Sequence, residues 1–512
     1  MSKLNKSIKN ARVAFFYYFV SLAVSFVSRK IFIDTLGTEI VGLSATMLNI
    51  LGFLNLAELG IFAAVSHALY KPLVEKNYDE LNKIVSLFGY LYRYVGLFIM
   101  VGGIVVSFFL PLMFSKSSVD LFTLYASFYT FISLTLFSYF NNYRQILLVA
   151  DQKGYVVTRI TNYIVIAKVL VQVLYLLYLD GNYIGWLVIE LLFGLGTRSW
   201  TNYKVKKEYP WLHPQINKGK SLFQQYKHII KNVKNLFAHK MAEFVLFQTD
   251  QILIYAFTSL SMVTYFTNYT MVIKRLAKIV VSTISSNLAA VGHIVAEGDV
   301  DKSKRVFTEF NSLFFFIAGV LVYCLYYLTE PFISLWLGTE FILPTAIFVL
   351  MLADTYILLT RQTVMFFING FGIYKDVWAA WTEASINIVL SVVLGYYFGL
   401  LGIVIGTVVS TFVIVCLWKP FYLFSSGFKM SVWNYWKEAF IYMALFVLSA
   451  LIVYPLHQFL LVPTDYKIFS FNSFVILIVF AFVYGVCMYF LSPGLKGVVS
   501  RFTVRFSKRD EK

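Results

Sequence analysis

The sequence predicts an all-α polytopic membrane protein, and three observations predict it. Of 512 residues, 59% are hydrophobic and 13% charged, about half the ~25% charged content of a soluble domain. The apolar residues gather in long runs, and a bilayer core of ~30 Å takes about 20 of them per helix. The charge that remains is lopsided: 43 Lys and Arg against 26 Asp and Glu, a formal +17. A disordered basic chain would be polar throughout. A nucleic-acid binder needs more polar surface than this composition supplies.

Fourteen runs are candidate spans: 12–33, 41–65, 87–113, 119–149, 160–179, 183–200, 241–258, 262–286, 307–328, 343–368, 378–397, 400–418, 439–460 and 471–491. The first follows a basic start (Lys3, Lys6, Lys9, Arg12) and is too long for a signal-peptide core, so it is expected to be an uncleaved span. The run 119–149 is long enough to tilt or to continue past the membrane. The run 262–286 is interrupted by Lys274, Arg275 and Lys278. Gly402 and Gly406 form a GxxxG pair that predicts close helix packing. Cys324, Cys416 and Cys487 all lie in apolar runs, which reads as small hydrophobes and not as a disulfide framework.

Orientation follows from the distribution of cations. With the N-terminus in the cytoplasm, 37 of the 43 Lys and Arg fall on the inner side, and only Arg29, Lys30, Lys116 and Lys467 on the outer; Arg93 and Lys168 lie within spans. Both termini are therefore expected on the cytoplasmic side of the membrane, with an even number of spans. The longest polar insertion, 201–240, holds nine lysines, and from Leu222 to Phe237 its apolar residues recur at helical spacing. It predicts a basic amphipathic helix against anionic lipid.

The insertion separates six spans from eight. The expected organisation is an N-lobe at 1–200, the linker at 201–240, a C-lobe at 241–420, and two appended spans with a basic tail at 421–512. A weak internal repeat supports it. Glu75 and Asp79 are matched by Glu297 and Asp301, and Arg144-Gln145 by Arg361-Gln362, each pair followed by a Gly-containing turn ending in Tyr (Tyr155, Tyr374). Two parallel six-helix lobes are a common way to build a transporter.

No enzymatic site stands out. Gly219-Lys220-Ser221 resembles the end of a phosphate-binding loop, but Pro214 occupies the earlier glycine position, so an ATPase is excluded. The six histidines show no metal-ligand spacing. The outer connections are short, and Glu330, Glu340 and Asp465 suggest no paired-carboxylate site. No cofactor or metal is expected.

Ionisable residues at membrane depth are therefore the functional candidates, each costing about 2.5–3.5 kcal/mol at a helix centre. The cations are Arg29, Lys30, Arg93, Arg144, Arg159, Lys168, Arg361 and the Lys274/Arg275/Lys278 group; the anions are Asp34, Glu58, Glu190, Asp250, Asp354 and Glu383. Arg29 and Lys30 lie on the outer side against the charge bias, as an anion site or as a snorkelling pair with Asp34 one turn on. Arg144 and Arg361 recur at the same place in each half, as matched cations in a cavity or as side chains reaching headgroups. Asp250 lies mid-span among Gln248, Thr249 and Gln251; an ionised carboxylate there needs a cation, a bound ion or a proton. Glu58 is similar, coupling ions or bridging helices.

The segment from Arg29-Lys30-Ile31-Phe32-Ile33-Asp34-Thr35-Leu36-Gly37, through Val41-Gly42-Leu43, to Leu54-Asn55-Leu56-Ala57-Glu58-Leu59-Gly60-Ile61 resembles the start of bacterial polysaccharide flippases. These are the Wzx-like proteins of the polysaccharide transport family, within the multidrug/oligosaccharidyl-lipid/polysaccharide exporter superfamily. Gln248-Thr249-Asp250-Gln251-Ile252-Leu253-Ile254 resembles that family's seventh span. The glycine- and arginine-rich first span of the lipid II flippase branch is not seen here. The resemblance implies two six-helix lobes in a V-shaped (MATE-like) arrangement with two further helices. It implies alternating-access transfer of an undecaprenyl-diphosphate-linked oligosaccharide to the outer leaflet, driven by an H⁺ or Na⁺ gradient, with polysaccharide assembly machinery as a partner. The diphosphate then calls for Arg29, Lys30, Arg93, Arg144, Lys168 and Arg361, and Asp34, Glu58 and Asp250 for ion coupling or helix bridging. The competing readings are a multidrug antiporter of the same fold, which would favour acids over cations, and a membrane polysaccharide polymerase, which short outer loops disfavour.

Overall fold

In lipid, only a helix satisfies its own backbone within a single segment, and among its described residues the computed structural model has helix in each of the fourteen runs and no strand. The structure describes residues 3–55, 61–151, 153–227, 249–285, 291–373 except 293 and 296, and 375–500. Among these, nine helices are long and apolar enough to cross a membrane, or ten if Val20–Leu36 and Thr38–Leu54, bent by 119°, are one span. The runs that fall short do so for visible reasons. The helix Tyr183–Glu208 carries Glu190 in its first half and is polar in its second, from Arg198 on. The helix Leu260–Ser285 carries Lys274, Arg275 and Lys278. Residues 228–248, which hold most of the expected amphipathic helix and the start of the seventh span, lie outside the described residues.

The chain forms two compact units, Met1–Thr264 and Tyr265–Lys512. Unit 1 contains α1 (Lys3–Leu36), α2 (Thr38–Leu54), α3 (Ile61–Val74), α4 (Tyr78–Met113), α5 (Leu121–Asn141), α6 (Ile146–Ala150), α7 (Gly154–Tyr178), α8 (Tyr183–Glu208), α9 (Gly219–Gln225) and α10 (Asp250–Phe257). Side-chain caps start α4, α5 and α8: Asn77, Asp120 and Asn182 accept from the backbone N–H of Glu80, Thr123 and Gly185. The Thr123 amide holds the exposed Asp120 carboxyl below its usual range. Gly37, with φ of 82°, makes the sharp turn between α1 and α2.

The opening of the polar insertion is built onto α4 as a strap. Asn82 accepts from the His213 N–H at 2.6 Å and donates to the Trp211 carbonyl at 3.3 Å. Ser86 accepts from the Gln215 N–H at 2.8 Å, and the Tyr226 hydroxyl donates to Glu80 at 2.8 Å. Trp211 lies against Tyr78, and Gly219 meets the Tyr90 ring, where a Cβ would clash. Leu222 and Tyr226, expected on the apolar face of a lipid-bound helix, are buried.

The helix α11 (Leu260–Ser285) crosses the division between the units. Unit 2 continues with α12 (Val300–Trp336), α13 (Thr345–Thr360), α14 (Gln362–Phe371), α15 (Val377–Phe398) and α16, which starts at Leu400–Thr411 and runs through π-helical turns at Phe412–Trp418 and Leu423–Phe428. α17 (Trp433–Val453) and α18 (Tyr466–Leu491) follow. The GxxxG pair does what its spacing predicts. A Cβ at Gly402 would stand 2.0 Å from the Leu394 carbonyl oxygen, and one at Gly406 2.5 Å from Ser391 Oγ. α15 and α16 thus pack backbone to backbone. α17 and α18 close on α12 through Phe315, Tyr323, Tyr442, Phe480, Tyr484 and Met488.

The two units repeat one design. α4 and α12 are 36 and 37 residues long, each starts from a side-chain cap (Asn77, Asp299), and each carries a proline near its end (Pro111, Pro331). Where the fourth span of each half should run on, it breaks. In unit 1 a 3₁₀ turn, Asn142–Gln145, separates α5 from α6; in unit 2 Arg361 separates α13 from α14. After each break a loop is tied to a later helix. In unit 1, Lys153 bridges Asp151 and Glu208, both at 2.8 Å, and the Tyr209 hydroxyl donates to Asp151 at 2.7 Å. In unit 2, Lys419 meets Asp376 at 2.6 Å, and the Lys375 N–H donates to the Tyr422 hydroxyl at 3.1 Å. Asp151 and Glu208 raise the Lys153 pKa, and burial, then the Asp151 bond, raises that of Tyr209.

Candidate functional site

The break in each fourth span places a cation. Arg144 sits in the 3₁₀ turn, half-buried. Its Nε donates to the Tyr143 hydroxyl at 3.3 Å, and its guanidinium lies 5.7 Å from that ring. Arg361 is at once the last cap of α13 and the first of α14, half-buried, with a buried Nε that no hydrogen-bond acceptor meets. Neither arginine is ion-paired to a carboxylate among the described residues.

The surroundings of Arg361 are polar. Asp354, two turns back on α13, and Glu383 on α15 lie within its field, as does Lys274 for Asp354 and Lys419 for Glu383. Glu383, Asn387 and Ser391 follow one another at helical spacing on a buried face of α15. Asn387 donates to Thr407 of α16 at 3.1 Å. Thr411, where α16 turns π-helical, faces Asp354. π-helical turns often mark functional positions.

The other cations are spoken for differently. Lys30 pairs with Asp34 at 3.2 Å, i to i+4 on α1, with both side chains about half exposed. Arg29, beside it, is half-buried, and Arg93 is exposed on α4. Lys168 on α7 meets Glu190 on α8 at 2.6 Å, and Gln172 donates to the same carboxylate at 3.0 Å. Arg159, Lys274 and Lys278 are exposed and Arg275 half-buried. Asp250 opens the described part of α10, half-buried, and its neighbour Gln251 accepts from Asn49 of α2. Glu58 lies outside the described residues. The structure thus gathers Arg361 with Asp354 and Glu383, isolates Arg144, and commits Lys30 and Lys168 to acids.

No family model matches the chain, and no curated protein matches it in sequence. Solved structures do. Lipid II flippase MurJ, in an inward closed conformation, superposes with a TM-score of 0.58 at 14% identity, over 94% of this chain and 99% of that one. An inward-facing multidrug resistance MATE family transporter of the MOP superfamily superposes with a TM-score of 0.54 at 13% identity, over 80% of this chain and 95% of that one. The fold is the one these two transporters share. The protein is an all-α, multi-pass membrane protein with that fold.

One residue that sequence reasoning missed is Arg198. It sits on α8 four residues after Gly194, and with Glu190 and Asn202 it shares one helical stripe whose polar members could have drawn attention to it. Its position at the edge of the lysine-rich insertion had folded it into the topological charge count.

Proposed function

We propose that the protein is a flippase that moves a polyprenyl-diphosphate-linked oligosaccharide from the inner to the outer leaflet of the bacterial cytoplasmic membrane by alternating access, with both termini inside. The observation that carries this reading is the recurrence of one arginine per unit at a matched helix break, Arg144 and Arg361, neither ion-paired to a carboxylate among the described residues. A cation at membrane depth is costly, and a diphosphate offsets that cost with charge-assisted, forked hydrogen bonds. Arg29 and Arg93 remain secondary candidates. Lys30 and Lys168, already paired, contribute less.

The drive is an H⁺ or Na⁺ gradient, and Asp354 and Glu383 beside Arg361 are the coupling groups, with Asp250 and Glu58 as further candidates and Asp34 as the partner of Lys30. The substrate anion and the carboxylates compete for the same guanidinium, which links headgroup binding to ion exchange. Anionic lipids and polysaccharide assembly machinery are the partners. The test is complementation of a strain lacking a polysaccharide flippase. Restored surface glycan is expected, with Arg144→Ala and Arg361→Ala each abolishing export at unchanged membrane levels. Drug resistance without glycan rescue in any system would favour the antiporter reading, to which the Asp354–Glu383 acids lend some chemistry. Full export by both arginine variants would remove the two sites.

A further inference from the structure

Arg198 lies about 22 Å along α8 from Tyr183 at 1.5 Å per residue, near the cytoplasmic end of a ~30 Å core. Long side chains on a helix lean toward its N-terminus, and Arg198 keeps that lean and does not snorkel toward the helix end. Its Nη1 donates back to the Gly194 carbonyl at 2.9 Å, one turn deeper into the membrane. Gly194 makes the room: a Cβ there would stand 3.2 Å from that Nη1 and 2.5 Å from Leu134 Cδ2 of α5. The guanidinium therefore rests in a notch that a glycine opens between α5 and α8.

The notch holds unspent hydrogen-bonding capacity. Arg198 Nε is buried and meets no acceptor, and Asn202 Oδ1 on the same face and Asn142 Oδ1 in the 3₁₀ turn are buried and meet no donor. The turn packs against α8. Ser127 meets Tyr183 and Leu134 meets Gly194, so α5 and α8 run in the same direction and Asn142 follows on toward Arg198–Asn202. The carboxylate whose field reaches Arg198 is Glu190. That carboxylate is held by Lys168 and Gln172. Arg198, with Arg144 in the adjoining turn, thus leaves this side of unit 1 with positive charge that no carboxylate among the described residues takes up in an ion pair.

We infer that Arg198, in the Gly194 notch with Asn142 and Asn202, is a phosphate-binding subsite of unit 1. The guanidinium supplies the charge and a fork of donors. Either amide, turned about its last torsion, presents Nδ2 to a phosphate oxygen. The chemistry suits a lipid-linked phosphate, whether the diphosphate of an isoprenoid-linked substrate or the headgroup of an anionic phospholipid. The inference rests on the flippase reading for the first source and stands without it for the second.

The purified full chain is titrated with farnesyl diphosphate and, separately, with dioctanoyl phosphatidylglycerol, as wild type, Arg198→Ala and Arg198→Lys. Arg198→Ala is expected to weaken farnesyl diphosphate by about tenfold or more, the scale of a charge-assisted hydrogen bond. Arg198→Lys keeps the charge but loses the fork, and is expected to fall between the two. It also carries the test should the alanine variant fold poorly. Equal affinity of all three forms for both ligands, or no binding of either by wild type, overturns the subsite. Arg198 dependence with phosphatidylglycerol alone assigns the notch to phospholipid and overturns its role as a substrate handle. Loss of the flippase reading itself registers elsewhere, as failed glycan complementation with Arg198 dependence intact.

Discussion

Lys168→Met separates a binding cation from a structural one. Lys168 and Glu190 join α7 to α8 at 2.6 Å, with side chains only 18% and 16% exposed. Removing one partner of a fully buried pair costs about 3–5 kcal/mol, because the other charge is left stranded, and this pair is partly exposed. Gln172 still donates to Glu190 at 3.0 Å, which places the expected loss near the lower end, about 3 kcal/mol. For a unit of this size that is roughly 6–10 °C in thermal midpoint. Lys168→Met with Glu190→Met removes both charges and is expected to recover most of the loss, a coupling of about 3 kcal/mol. The assay is thermal unfolding of the purified full chain for the two single variants and the double, with glycan export measured in parallel. A structural pair predicts that the double variant regains export along with stability. An unchanged midpoint in Lys168→Met would refute the stranded-charge argument. A double variant that is stable yet inactive would return Lys168 to the substrate-binding set.

The remaining predictions concern other parts of the molecule. Lys153 and Tyr209 both hold their protons more tightly than usual, so their contribution is complete below their ordinary values and is lost as pH rises through the folded ones. The thermal midpoint should be level through neutral pH and fall above about pH 10.5; Lys153→Met should flatten that alkaline fall, and a fall that persists unchanged would sink the assignment. Asn82→Ala leaves the His213 N–H and Trp211 carbonyl without their α4 partner, a loss of about 1–2 kcal/mol, and trypsin should then cut at Lys218 and Lys220 faster than in wild type; equal cleavage rates would mean the strap is held by other contacts. Gly406→Ala forces a Cβ against Ser391 and should deplete folded protein, whereas Gly196→Ala, with open space around it, should not; equal yields would contradict the close packing of α15 and α16.

The helices were legible because lipid leaves an apolar run little choice, and the Gly402–Gly406 spacing named its own packing partner type. The matched arginines were legible as a repeat, but the helix breaks that hold them were not. Asn142–Gln145 contains neither proline nor glycine, and nothing local stops α5 there. The strap was illegible because its partners are distant in sequence: Asn82 meets His213 131 residues later, and an apolar face that reads as lipid-bound is equally suited to lie on α4. Arg198 was hidden by number, one of ten cations counted together between 198 and 240. What distinguishes it is the space beside it, which Gly194 leaves for the guanidinium and no charge count records. Lys168 and Glu190 were both recognised as costly, yet only the packing of α7 on α8 made them one feature.

The two loop anchors have opposite polarity. Unit 1 ties a loop lysine to the glutamate that ends α8, Lys153 to Glu208; unit 2 ties a loop aspartate to a lysine within α16, Asp376 to Lys419. Two similar halves made in succession on one chain face a problem of mistaken identity while they assemble in the membrane. Lys153 brought to Lys419 meets a like charge, and so does Asp376 brought to Glu208, and like charges in contact are repelled. A chimera carrying unit 1's loop in unit 2 would set Lys153 against Lys419 even though every helix kept its length.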